Sequence, residues 1–125
     1  MVEELRMNQP NRICASSALE DGGKGVRFHV RWLGVVTSAF VIRYQGVVYA
    51  YLNQCAHVPV ELDWQEGEFF DVSGVYLICA THGAEYSPKT GHCMSGRCNG
   101  KGLTSLPIEE INGQIYLLEH ALITP

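Results

Sequence analysis

Two short arms, Cys55-Ala-His57 and Cys79-Ala-Thr-His82, stand at the ends of a 28-residue stretch of this chain. Each arm puts a thiol and an imidazole within one turn of backbone. A lone histidine or buried cysteine is most often structural, but the paired pattern points to a bound metal centre. Four such donors satisfy a tetrahedral metal site or a two-iron cluster, provided the fold brings two distant loops together. Each arm follows a strand-like run, "YLNQCAH" and "YLICATHG", so two strand ends can converge on one object. On donor chemistry alone, a structural zinc site competes with an iron–sulfur cluster.

The scaffold around the arms reads as all-β. Val, Ile, Tyr and Phe recur in short runs punctuated by Gly, and helical periodicity is scarce. Strands are expected over residues 12–18, 26–32, 35–43, 46–53, 75–79, 84–87, 106–110 and 114–119. Gln45-Gly46 and Asn112-Gly113 predict tight hairpins, because Gly and Asn tolerate positive φ. A short helical turn fits at most, near "PVELDW". Residues 1–53 and 106–125 read as a β-barrel or sandwich base, and residues 54–105 as a small inserted cluster-binding subdomain. The insert carries four of the five cysteines and three of the five histidines.

Bulk composition narrows the function classes. The 125 residues are 46% hydrophobic and 18% charged, which fits one globular domain spanning 1–125. A net charge of −4 argues against nucleic-acid binding, which needs clustered Lys and Arg. The start "MVEELRMNQPNR" has charges where a secretory signal has an apolar region. No run approaches the ~20 apolar residues of a membrane span. The expected location is the cytoplasm, where cysteines signal metal or redox chemistry more readily than a disulfide framework.

Spacing separates the metal readings. Zinc ribbons and fingers pair like ligands, whereas each arm here is mixed. C-x-H followed by C-x-x-H resembles the signature of the Rieske [2Fe–2S] family. The resemblance runs from about residue 12 to 119 and includes "HGAEYSPKTG" at 82–91 and the late "LP…NGQIYL" strand pair. It implies a Rieske-like antiparallel β-barrel or sandwich base and one [2Fe–2S] cluster per chain. Cys55 and Cys79 would bind the inner iron, and His57 and His82 the outer, solvent-facing iron.

The chain departs from that family's high-potential members. Val60 and Thr81 occupy the positions of the two cysteines that clamp the loops there, so this disulfide cannot form. Ala84 stands where a hydroxyl is common, while Tyr86 is retained and could donate to a cysteine sulfur. Pro59 replaces a usual glycine and removes a backbone donor. Fewer donors toward the cluster imply a low potential, roughly −150 to 0 mV.

Between His57 and Cys79 lie 21 residues, including the acidic and aromatic surplus "DWQEGEFFDVSG". The expected role is a surface loop whose Trp64, Phe69 and Phe70 cover the core. The sharper alternative is a partner-docking lip at Asp63, Glu66 and Glu68. Cys93 and Cys98 are expected to line a loop covering the cluster, with a reversible disulfide as the alternative. Cys14 reads as core. His29 and His120 read as surface residues, and His92 carries a weak flag because it lies close to the cluster loop.

No other catalytic set is visible, so the chain reads as an electron-transfer protein and not an enzyme. The resemblance implies a stand-alone Rieske-type ferredoxin passing electrons from a reductase to an oxygenase or other terminal redox enzyme. Alternatives are a small subunit of a larger redox enzyme such as a nitrite reductase, or a zinc-binding interaction module. Redox protein partners are expected, with no nucleic acid, no membrane and a monomeric state.

Overall fold

The computed structural model describes residues 11–56, 60–63, 65–81, 83–96, 101–118 and 122–123. Strand β3, Val35–Tyr44, shows how the layers are arranged. Its four consecutive buried residues split by alternation, since side chains along a strand point to opposite faces. Ala39 and Val41 belong to one apolar cluster, with Phe28, Val30, Leu52, Ile115 and Leu117. Phe40 and Ile42 belong to a second, with Tyr51, Leu62, Phe69, Leu77 and Tyr86. The strand is therefore covered on both faces.

All sheet pairings among the described strands are antiparallel. β2 (Val26–Trp32), β3 and β4 (Val47–Leu52) form the centre of a five-stranded sheet. Its edges are β8 (Ser105–Leu106) on β4 and β11 (Leu122–Ile123) on β2. β1 (Arg12–Ala15), β10 (Gln114–Leu117) and β9 (Ile108–Ile111) form a second sheet. β5 (Leu77–Ile78), β6 (Glu85–Tyr86) and β7 (Cys93–Ser95) form a third. The first cluster draws on β1 and β10 of the second sheet, and the other on β5 and β6 of the third.

Both expected hairpin turns are present, with φ of 52° and 82° at Gln45-Gly46 and 51° and 76° at Asn112-Gly113. A third turn of the same kind, Leu33-Gly34, joins β2 to β3 with φ of 51° and 81°. Leucine is a poor resident of the left-handed region, and this turn escapes sequence rules built on Asn and Gly pairs.

Several expected strands are shorter or divided, among them 84–87, of which only Glu85–Tyr86 is strand. The segment 12–18 leaves the sheet after Ala15 and closes a 3₁₀ turn, with Leu19 N–H donating to the Ser16 carbonyl. The segment 106–110 divides at Pro107, which has no N–H to give a ladder. Ser105–Leu106 pairs with β4, whereas Ile108–Ile111 pairs with β10. The segment 75–79 retains only Leu77–Ile78 as strand. Of "PVELDW", residues 60–63 form bends rather than helix, and Pro59 and Trp64 lie outside the described residues. Among the described residues no helix is long and apolar enough to cross a membrane.

Candidate metal centre

The first arm leaves β4 at Leu52. Asn53 N–H donates to the Ser38 carbonyl at 2.8 Å, holding the exit against β3. Cys55 N–H donates to the Val60 carbonyl at 2.8 Å, so the arm closes on itself by a backbone bond. Val60 stands where the clamp cysteine of the resembling proteins would be.

The second arm is the loop of the β5–β6 hairpin. Leu77 pairs with Tyr86 and Ile78 with Glu85. Cys79 N–H then donates to the Ala84 carbonyl at 2.9 Å, and Gly83 N–H returns to the Cys79 carbonyl at 2.8 Å. Gly83 has φ of 73°, the left-handed conformation that closes this turn and that glycine adopts without strain. The far end of β7 lies over it: a Cβ on Gly96 would sit 2.8 Å from Ala84 Cα.

The structure brings Cys55 and Cys79 into the same buried cluster, 5% and 0% exposed. His57 and His82 lie outside the described residues. Among the described residues no three metal-ligating side chains converge.

Tyr86 connects the strand of the second arm to the first. Its hydroxyl accepts the Ala56 N–H at 3.1 Å and lies 3.2 Å from Cys55 Sγ. With the oxygen accepting from the backbone, its hydrogen is available to the sulfur. Burial, then the bond to Cys55, pushes the phenol above its ordinary pKa, and Cys79 adds in the same direction. The phenol therefore stays protonated and able to donate. A thiolate buried in apolar surroundings is disfavoured unless a metal or donor stabilises it. Two buried thiols, one of them beneath a phenol donor, are a donor set that fits an iron–sulfur cluster.

The acidic loop differs from its alternative reading. Asp63 has no exposed side-chain surface and pairs with Arg27 at 2.8 Å, so it cannot belong to a docking lip. Glu66 and Glu68 are exposed. Phe69 is fully buried and stacked on Phe40 with centroids 4.0 Å apart, and Phe70 is partly buried, as expected of core cover. Trp64 lies outside the described residues. Sequence reasoning missed the Arg27–Asp63 pair because 36 residues separate its members and no local pattern joins them.

Cys93 is disulfide-bonded, which is the alternative expectation for it and replaces the reading of a thiol that merely lines a cover. Cys98 lies outside the described residues. Cys14 is buried in the first cluster as expected, and burial raises its thiol pKa. His29 and His92 are exposed, and His120 is not among the described residues.

Comparison with solved structures finds the same fold in several ferredoxins. A ferredoxin of Sphingomonas yanoikuyae B1 aligns with a TM-score of 0.67 and 19% identity, over 94% of this chain and 100% of that one. The ferredoxin of carbazole 1,9a-dioxygenase from Nocardioides aromaticivorans IC177 gives 0.66 and 20%, over 88% and 97%. A complex of reduced oxygenase and oxidised ferredoxin in carbazole 1,9a-dioxygenase gives 0.65 and 24%, over 85% and 89%. A search of curated proteins finds no match. The family model of the Rieske [2Fe–2S] domain matches residues 9–111, which include both arms, Tyr86 and β9. This chain therefore belongs to the Rieske [2Fe–2S] family, and its cofactor is a [2Fe–2S] cluster.

Proposed function

We propose that the chain is a one-electron carrier, taking electrons from a reductase and passing them to an oxygenase or another terminal redox enzyme. Cys55 and Cys79 hold one iron, and His57 and His82 hold the other. A [2Fe–2S] cluster with mixed thiolate and imidazole ligation gains and loses one electron at a time. The observation that carries this reading is the burial of Cys55 and Cys79 in one cluster, with the Tyr86 hydroxyl 3.2 Å from Cys55 Sγ.

The chain's own residues do three things at this site. The apolar packing of Leu62, Phe69 and Leu77 around both cysteines keeps water from the sulfurs. Tyr86 supplies a hydrogen to Cys55 Sγ, which favours extra negative charge on that sulfur. The backbone bonds at Cys55 and Cys79 fix where each sulfur leaves the chain.

The partner assignment draws support from the ferredoxin seen in complex with an oxygenase of carbazole 1,9a-dioxygenase, which shares this fold. Exposed Glu66 and Glu68 and the net charge of −4 suit a protein partner with a basic patch and not nucleic acid. We assign the cluster-binding subdomain to residues 54–105, the base to 1–53 and 106–125, and the protein to the cytoplasm as a monomer.

The test is the electron paramagnetic resonance spectrum of the dithionite-reduced protein, with iron, sulfide and zinc analysis. The expected result is a brown-red protein with two irons, two labile sulfides and a low average g value. Cys79→Ser should abolish the signal. About one zinc with no iron or sulfide would overturn the carrier assignment.

A further inference from the structure

Among the described residues near the arms, Asp63 has both carboxylate oxygens fully hydrogen-bonded. It lies on the return limb of the first arm with its side chain wholly buried. Its Oδ1 accepts from Arg27 Nη2 at 2.9 Å and Asn53 Nδ2 at 3.0 Å. Its Oδ2 accepts from Arg27 Nε at 2.8 Å and the Gly67 N–H at 3.0 Å. Every lone-pair direction of the carboxylate is thus used.

The partners are spread over the elements that frame the site. Arg27 belongs to β2. Asn53 sits two residues before Cys55, donates its N–H to the Ser38 carbonyl of β3, and accepts the Leu62 N–H on its Oδ1 at 2.9 Å. The limb that leads into Cys55 is therefore tied to the returning limb at Leu62 and Asp63. The Leu62 carbonyl in turn accepts the N–H of Ala80, the residue after Cys79, at 2.9 Å. An unbroken run of bonds leads from β2, through Asp63 and Leu62, to the second arm. Gly67 completes it: its carbonyl accepts the Gly25 N–H at 2.8 Å, and a Cβ there would lie 2.7 Å from Lys24 Cγ.

Stability alone is a poor explanation for such a group. Burying a carboxylate as fully as Asp63 costs several kcal/mol of desolvation, and well-packed apolar residues often do as well or better. What the arrangement supplies is a second tie between the two loops, beside the contact of Tyr86 with Cys55 and Ala56. We propose that Asp63 is a positioning residue of the metal centre, setting the spacing of the two ligand arms through Arg27, Asn53 and the Leu62–Ala80 bond. This rests on the function proposed above.

The test compares holoprotein of wild type, Asp63→Asn and Glu61→Gln, each shown to be folded by circular dichroism. Asp63→Asn keeps the shape but loses the charge and cannot accept at every position. Its iron release to a chelator should accelerate about 10- to 100-fold, the factor by which loss of an outer-shell partner typically lowers metal affinity. The g values of its reduced cluster should shift. Glu61→Gln removes the other carboxylate on Arg27, a half-exposed one 3.1 Å away, and should match wild type in both readouts. A folded Asp63→Asn that melts earlier but releases iron at the wild-type rate, with the wild-type spectrum, would overturn the proposal and leave Asp63 a stability residue. If Asp63→Asn does not fold, Arg27→Lys, which keeps the charge and loses the two-pronged contact, is read in the same assays. Faster release then supports the proposal, and wild-type release overturns it. Wild-type protein without an iron–sulfur signal would overturn the function on which the inference rests.

Discussion

Tyr86 and Cys55 belong to different segments, 31 residues apart, and meet with the phenol oxygen 3.2 Å from the sulfur. Tyr86 lies on β6, and β5 before it ends at Ile78, one residue short of Cys79. One residue thereby fixes the sulfur of the first arm to the hairpin of the second. The same hydroxyl accepts the Ala56 N–H, which orients it.

Tyr86→Phe removes that hydrogen from the sulfur. A hydrogen bond to sulfur favours the more negative, reduced cluster, so its loss should lower the midpoint potential by on the order of tens of mV, where 59 mV is tenfold for one electron. Redox titration of the two proteins measures this directly. An unchanged midpoint would show that the phenol serves only to pack.

Phe69 is fully buried and lies nearly parallel to Phe40, at 12° between planes. Its carbonyl also accepts the Ile78 N–H at 2.9 Å, next to the second arm. Phe69→Ala should destabilise the fold by about 3–5 kcal/mol, as other buried Phe truncations do. Denaturant unfolding checks the value, and a loss below about 1 kcal/mol would mean the cavity collapses without cost to its neighbours.

Arg43 and Glu110 join β3 to β9 through two contacts, at 2.6 and 3.2 Å. The hydrogen bond from Arg43 lowers the Glu110 carboxyl below its ordinary value, against a smaller opposing effect of burial. A depressed folded-state pKa adds stability that is present above the unfolded value near ~4.3 and is lost as pH falls through the folded one. Glu110→Gln should therefore cost about 1 kcal/mol or less at pH 7, as a partly exposed pair does. Its stability should also decline less steeply below about pH 5. Unfolding curves that stay parallel to wild type over this range would contradict the linkage.

Cys93 is disulfide-bonded, whereas Cys14, Cys55 and Cys79 are not. Alkylation of denatured, cluster-stripped protein without reductant should label three of the five cysteines, and all five after reduction. Labelling of five without reductant would place the chain in the dithiol state under the conditions of purification.

The sequence alone determined whatever depends on neighbours along the chain. The two mixed arms, the turns at Gln45-Gly46 and Asn112-Gly113, and the alternation of β2 are properties of adjacent residues. The turns and the alternation survive in the structure because side-chain period and backbone preference act over two to four positions. Tyr86 was legible only through the family resemblance, which places a tyrosine at a fixed step from the second arm; its contact with Cys55 is tertiary. Tertiary structure decided what each segment meets. Only packing on both sides of β3 makes residues 39–42 a buried run shared between two clusters. Only the change of partner across Pro107 divides one strand-like stretch between two sheets. Asp63 shows the difference most clearly: an aspartate in an acidic loop reads as solvated until Arg27 and Asn53 arrive from elsewhere to fill its lone pairs. Whether a charge lies in water or in the core depends on partners distant in sequence, and those are set by the fold.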